Sequence, residues 1–187
     1  ASSPSEETFD GIFRNAVARQ SDVDVPCGVF LSGGLDSSLV AAVARSVQPG
    51  RPLTAFTIRF EEASYDEGSF ASSAASALKI PWASVTVGLA DVRREIERLV
   101  SVSGEPLADP AWVPASILSR RAVEDVRLVM VGEGADELFG GYPTYIGALL
   151  ADRYSRWPRP VKSAIAAAVA ALPVSDKKVT ISYLLKR

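Results

Sequence analysis

Seven consecutive residues, Ser32-Gly33-Gly34-Leu35-Asp36-Ser37-Ser38, have the types and spacing to hold phosphate. They follow the apolar run Gly28–Leu31 and precede Leu39-Val40-Ala41-Ala42-Val43-Ala44, which puts them at a strand-to-helix corner. Two glycines let the backbone turn tightly and leave no side chain between its amides and an incoming anion. Ser37 and Ser38 are expected to cap the new helix, whose free N–H groups and dipole favour negative charge at that end. An acidic Asp36 inside an anion-binding loop makes sense once a divalent cation stands between its carboxylate and the phosphates. The loop therefore predicts a site for pyrophosphate or nucleotide phosphates together with Mg²⁺. It is neither a Walker-type loop, which needs a lysine after its last glycine, nor a G-x-G-x-x-G dinucleotide turn. What remains is a loop that holds the pyrophosphate half of ATP while the α-phosphate reacts.

Other catalytic chemistries are excluded by composition. The chain has no histidine, which removes Ser–His and Cys–His catalysis and histidine metal sites together. The single Cys27 cannot form an internal disulfide, which fits a reducing cytoplasm, and its place at the start of an apolar strand reads as a small buried hydrophobe. With 20 Lys plus Arg against 22 Asp plus Glu, the net charge of −2 argues against a large nucleic-acid footprint. No apolar run approaches the ~18 residues of a membrane span, and the polar start Ala1–Glu7 does not read as a signal peptide. At 187 residues the chain fits one α/β domain, able to bury roughly 70% of its unfolded surface.

The elements that must position the loop alternate between strand and helix. Gly28–Leu31 predicts a strand and Ser37–Val47 a helix, with Leu39, Val43 and Val47 on its apolar face. Leu53–Phe60, rich in β-branched and aromatic residues, predicts the second strand. A helix is expected over Glu67–Leu78, a third strand over Ala83–Val87, and a helix over Asp91–Val100. Asp91 should cap that helix, and Val92, Ile96, Leu99 and Val100 should form its buried side. Ala115–Glu124 predicts another helix and Val126–Val131 the fourth strand. Such alternation means a doubly wound parallel sheet, in which ligands bind beyond the carboxyl ends of the strands at the switch point. Two motifs fall at such ends, the loop after strand one and Gly132-Glu133-Gly134-Ala135-Asp136 after strand four. If these strands are neighbours, Asp36 and Asp136 meet over the phosphates, and a shared Mg²⁺ would relieve their repulsion. The other reading of Asp136 is a helix N-cap.

The pattern S-G-G-x-D-S at Ser32–Ser37 resembles the pyrophosphate loop of the ATP-pyrophosphatase superfamily. Within it, the chain is most similar to the synthetase domain of glutamine-dependent asparagine synthetases. Val131-Gly132-Glu133-Gly134-Ala135-Asp136-Glu137-Leu138-Phe139-Gly140-Gly141-Tyr142 carries the closer resemblance, to the family's S-G-E-G-x-D-E-L-F-G-G-Y. Asp24-Val25-Pro26, Ser64-Tyr65-Asp66-Glu67 and Glu105-Pro106 with Asp109-Pro110 are softer likenesses. The resemblance implies an adenine nucleotide hydrolase-like fold over residues 8–145, with 146–187 a helical extension that begins a further, truncated part. It implies ATP and Mg²⁺ as cofactors. The phosphate loop supplies Ser32, Gly33, Gly34, Asp36, Ser37 and Ser38, the adenosine lies against Leu31, Ile58 and Gly132, and Asp36 and Asp136 hold the metal. Val131 departs from the family's serine, which removes one hydroxyl from the nucleotide site.

The implied reaction has two steps. A carboxylate, in these synthetases the side chain of aspartate, attacks the α-phosphate of ATP and expels pyrophosphate, with Asp36 at the reacting phosphates. Ammonia then displaces AMP from the acyl-adenylate, and Glu133 takes the proton of the attacking amine. The ammonia would come from a glutaminase domain that this chain does not contain, in a cytoplasmic enzyme with no nucleic-acid or membrane partner and with a homo-oligomer as the candidate assembly. The family's later lysine and charged cluster have no match after Tyr145. Lys177, Lys178 and Lys186 read as solvated charges, so the isolated chain is expected to be a poor catalyst. The alanine-rich Lys162–Leu172 predicts a closely packing helix. Three alternatives stay open: another acid-adenylating amide-forming enzyme of the β-lactam synthetase or peptide cyclase kind, a tRNA-modifying pyrophosphate-loop protein, and a non-catalytic nucleotide-binding module.

Overall fold

Four parallel strands build the first of two units: β1 Cys27–Phe30, β2 Leu53–Phe60, β3 Trp82–Val87 and β4 Leu128–Met130. The structure is a computed structural model that describes residues 6–105 and 108–170. The units are Ala1–Glu133 and Gly134–Arg187. Strand order is β3-β2-β1-β4, so the chain moves outward from β1 and then returns to its other side. β1 pairs with β2 from Cys27↔Leu53 to Phe30↔Phe56, and with β4 from Cys27↔Leu128 to Val29↔Met130. The reversal of order lies between β1 and β4, where such sheets open a crevice.

Parallel neighbours require helical crossovers. These are α2 Leu35–Val47, α3 Gly68–Leu78, and the pair α4 Leu89–Ser103 and α5 Trp112–Ala122, all preceded by α1 Glu6–Ser21. Period-two alternation divides the sheet's side chains between two cores. Cys27, Val29, Leu31 and Ala55 pack with Val17 of α1, Ala41 and Ala44 of α2, and Ala71 and Ala75 of α3. On the opposite face, Phe56 packs with Leu118 and Ala122 of α5 and Val126, supported by Phe30, Ile58 and Val129. Helices cover both faces, which makes the sheet doubly wound as the alternation of elements predicts.

Helix α4 buries a face other than the one its apolar spacing suggests, whereas α2 keeps most of its own. In α2, Val43 is buried and Val47 packs against the core as expected, but Leu39 is 39% exposed and the fully buried position is Ala41. Small residues win there because the helix lies close on β1. In α4 the buried residue is Glu95, and Ile96 is 47% exposed. Asp91 does not cap α4. Gly88 holds the N-cap, and the Asp91 carboxylate, three residues on, accepts from the Gly88 N–H at 3.1 Å. Helix α1 was not predicted; it is held by Val17 and Phe13 against the core.

The second unit contains α6 Ala135–Phe139, α7 Pro143–Ser155 and α8 Arg159–Ala170. Gly140 ends α6 in the left-handed region (φ +70°), and Pro143 opens α7 right after Tyr142. The Tyr154 hydroxyl donates to the Lys162 carbonyl at 3.0 Å, tying α7 to α8. The stretch Gly140-Gly141-Tyr142 is thus a cap and turn. Pro106, the end of the predicted alanine-rich helix beyond Ala170, and Lys177, Lys178 and Lys186 lie outside the described residues.

Candidate functional site

Ser32 and Ser37 close a small ring of hydrogen bonds at the carboxyl end of β1. The Ser37 hydroxyl accepts from the Ser32 N–H at 3.2 Å and donates to the Gly34 carbonyl at 3.3 Å. With that proton committed, the Ser32 hydroxyl donates to Ser37 Oγ at 3.0 Å and accepts from the Gly34 N–H at 3.2 Å. Helix α2 begins at Leu35, with Gly34 as an N-cap in extended backbone that makes no side-chain cap bond. The expectation that Ser37 and Ser38 cap the helix is corrected: both stand inside its first turn, and Ser37 faces back into the loop. The first N–H groups of α2 have no acceptor within the helix, so they remain available to an anion.

Two glycines make this geometry possible. Gly33 has φ +82°, and a Cβ on it would lie 2.4 Å from the Phe70 carbonyl carbon and 2.5 Å from the Ala71 nitrogen. The loop therefore rests on the first turn of α3. From the other side, Gly132 presses on the start of α2, where a Cβ would lie 2.8 Å from the Ser37 nitrogen. Side chains at either position would push the loop away.

A cavity of about 330 Å³ opens beside the loop. Ser32, Gly34, Asp36 and Ser37 line it from the loop, and Val131, Gly132 and Glu133 from the segment after β4. Leu31 and Ile58 line it from β1's end and β2. Of the residues predicted for the site within this unit, only Gly33 and Ser38 do not line it: one backs onto α3 and the other sits deeper in α2. Phe30, Phe56, Phe60 and Leu118 supply apolar walls that motif reading missed, and Thr57, Tyr65 and Glu67 add polar ones. The alternation Phe56, Ile58, Phe60 along β2 was a readable signal for two of these, Phe56 and Phe60. Leu118 had none, because it arrives from α5. The wall composition suits a flat aromatic base beside a phosphate group. Asp36 offers carboxylate oxygen, the donor that Mg²⁺ takes.

The polar groups under the cavity are all paired. Thr57, 2% exposed, donates its hydroxyl proton to the Leu31 carbonyl at 2.6 Å and accepts from Trp82 Nε1 at 2.8 Å. Arg59 holds Asp66 with bonds of 3.2 Å from Nε and 2.6 Å from Nη2, and Asp66 also accepts from the Gly68 N–H at 3.1 Å. The hydrogen bonds from Arg59 hold the Asp66 carboxyl below its ordinary range. This pair braces the segment carrying Tyr65 and Glu67. Glu95, 3% exposed, joins α4 to α5 through Arg98, Ser116 and Arg120. Burial works to raise its pKa, but the bonds and charges of those partners outweigh it and leave it lowered. Burial pushes the Cys27 thiol up, consistent with an inert core side chain.

Asp136 stands in the first turn of α6, in the second unit, after a Gly134 N-cap. It is therefore not the cap itself. Among the described residues, no three His, Cys, Asp or Glu side chains converge on one point, and no helix is long and apolar enough to cross a membrane.

Known proteins share both the sequence pattern and the fold. The asparagine synthase family model matches residues 8–185. The glutamine-hydrolysing asparagine synthetase 1 of Bacillus subtilis is 37% identical over 168 residues, which is 90% of this chain and 26% of that protein. A putative glutamine-hydrolysing asparagine synthetase of Mycobacterium tuberculosis is 35% identical over 167 residues, 89% of this chain and 25% of that protein. The chain thus spans about a quarter of the length of the curated relatives it matches. A glutamine-dependent NAD⁺ synthetase from Acinetobacter baumannii, solved with ADP, superposes with TM-score 0.53 at 22% identity over 94% of this chain and 39% of that one. An NMN synthetase from Francisella tularensis gives TM-score 0.52 at 19% identity over 75% of this chain and 59% of that one. These two likenesses show the fold, that of the pyrophosphate-loop adenine nucleotide hydrolases. On the match over residues 8–185, the chain belongs to the asparagine synthase family.

Proposed function

We propose that this chain forms the nucleotide site of an ATP-dependent amide ligase that adenylates a carboxylate and passes it to ammonia. The observation that carries the reading is the cavity at the β1/β4 switch point, which brings the Ser32–Ser37 ring, Asp36, Gly132 and Glu133 onto one surface. The first-turn N–H groups of α2, which have no acceptor within the helix, would hold the pyrophosphate half of ATP. The apolar walls around Ile58 and Phe56 would take the adenine.

A substrate carboxylate oxygen attacks the α-phosphorus, the bond from that phosphorus to the bridging oxygen breaks, and pyrophosphate leaves. Ammonia then attacks the acyl carbon, the bond to the AMP oxygen breaks, and Glu133 accepts the proton lost from nitrogen. When bound, Mg²⁺ would neutralise the charge on the leaving pyrophosphate. Asp36 would contribute a carboxylate oxygen to it. The names of the relatives favour the aspartate side chain as the acid and glutamine as the source of ammonia.

Calorimetric titration with ATP and Mg²⁺, beside Asp36→Ala, tests the reading. Metal-dependent binding that the substitution abolishes supports it. A folded chain that binds no Mg·ATP overturns it. In a polypeptide of the relatives' full length, Glu133→Gln should leave ATP binding intact and slow amide formation by about 10²-fold or more.

A further inference from the structure

We infer that Thr57 and Trp82 are positioning residues for the phosphate loop, acting through a relay of side-chain hydrogen bonds that ends on the Leu31 carbonyl. The inference deepens the proposed nucleotide site and rests on that reading for its effect on ATP.

The β1–β2 ladder ends at the pair Phe30↔Phe56, two residues before the loop begins at Ser32. Leu31 is the next residue. Its N–H still donates to the Phe56 carbonyl at 2.9 Å, but its carbonyl takes the Thr57 hydroxyl at 2.6 Å. The direction of the relay is forced. Indole Nε1 is only a donor, so the 2.8 Å bond from Trp82 occupies Thr57 Oγ1 as an acceptor and leaves its single proton for Leu31. Three neighbouring strands are thereby tied by side chains, from Trp82 at the start of β3 through Thr57 in the middle of β2 to Leu31 just past the end of β1.

Both backbone polar groups of Leu31, its N–H and its carbonyl, are now bonded to β2. The following residue, Ser32, puts its N–H and hydroxyl into the ring with Ser37. The relay and the ring are therefore adjacent, and the loop's starting direction is set by Thr57. Because Thr57 is 2% exposed, water has little access to replace its hydroxyl. Removing it would leave the Leu31 carbonyl and the Trp82 N–H without their partner. Thr57 also lines the cavity, so the same side chain that holds the loop forms part of the floor beneath it.

Amide hydrogen exchange by mass spectrometry on the full chain tests the relay, with Mg·ATP titration alongside. The variants are Thr57→Val, which keeps the shape and removes the hydroxyl, Thr57→Ser, which restores it, and Trp82→Phe, which removes the N–H. Thr57→Val should exchange about tenfold faster in peptides covering residues 32–38, with peptides of β1 and β2 unchanged, and should bind Mg·ATP about tenfold more weakly. Thr57→Ser should return both toward wild type, and Trp82→Phe should loosen the loop less than Thr57→Val. Unchanged exchange at 32–38 in Thr57→Val, or faster exchange spread evenly through the sheet, would overturn the inference. If Thr57→Val does not fold, selective loosening or its absence in Trp82→Phe decides. A wild type that binds no Mg·ATP sinks the proposed function, while the exchange comparison still decides the relay.

Discussion

Gly132 rests directly on Ser37: a Cβ on the glycine would lie 2.8 Å from the Ser37 nitrogen and 2.9 Å from the Asp36 carbonyl carbon. These residues are far apart in the chain, yet the parallel pairing of β1 with β4 brings the ends of both strands together. The segment after β4 therefore sets the position of the first turn of α2, whose amides and carboxylate face the cavity.

Gly132→Ala should accordingly do more than remove flexibility. The clash is with backbone, so the loop must shift, at a cost of about 1–3 kcal/mol in stability. Urea denaturation should show that loss, and Mg·ATP affinity should fall in the same variant. Ala substitution at Gly50, where the added Cβ meets nothing within 4 Å, should leave affinity unchanged.

Glu95 is the buried polar link between α4 and α5. Glu95→Gln keeps the shape but leaves Arg98 and Arg120 without their carboxylate, and should cost about 1–3 kcal/mol. Its exposed neighbour offers a control: Ile96→Gln should change stability by about 0.5 kcal/mol or less. Denaturation midpoints of the two variants check the contrast.

Acid should weaken the first unit through Asp66. Its folded-state carboxyl titrates below the ordinary aspartate range because Arg59 and the Gly68 N–H bond its ionised form. The unfolded chain therefore binds the proton first as pH falls. The stabilisation is complete above about pH 5 and disappears as pH drops through the lower folded value, with Glu95 contributing on the same limb. Asp66→Asn should lower stability at neutral pH and flatten part of the acid limb, as read from urea midpoints between about pH 6 and pH 2.

In the second unit, Tyr142 donates its hydroxyl proton to the Glu137 carboxylate. That bond, with the negative charge beside it, pushes the phenol up to about 12. Its stabilising contribution holds below the ordinary phenol pKa of about 10 and is lost as pH rises through the folded value. Of the five tyrosines, the one that ionises near this high value should vanish from a phenolate absorbance titration in Tyr142→Phe. In Glu137→Gln it should move back toward about 10.

Much of the site was legible residue by residue. Ser32, Gly34, Asp36 and Ser37 stand together because they are local in the chain, and a strand-to-helix corner places them whatever surrounds it. Ile58, Gly132 and Glu133 were legible through a resemblance, and the pairing of β1 with β2 and β4 brings them to the same cavity. Helix faces were less legible. The spacing of Leu39 and Ile96 looks apolar along their helices, yet packing chose Ala41 and Glu95, because close approach to β1 favours a small side chain and two arginines with Ser116 satisfy a buried carboxylate.

The order of amino acids by itself determined the alternation of strands and helices and the strand-to-helix loop Ser32–Ser38, because each rests on short-range spacing, while the two motifs carried the resemblance to the family. Only the tertiary structure decided that Thr57 holds Leu31, that Asp66 pairs with Arg59, and that Leu118 walls the cavity. Those relations depend on which strands become neighbours and how helices settle on them, and no local pattern along the chain carries that distance.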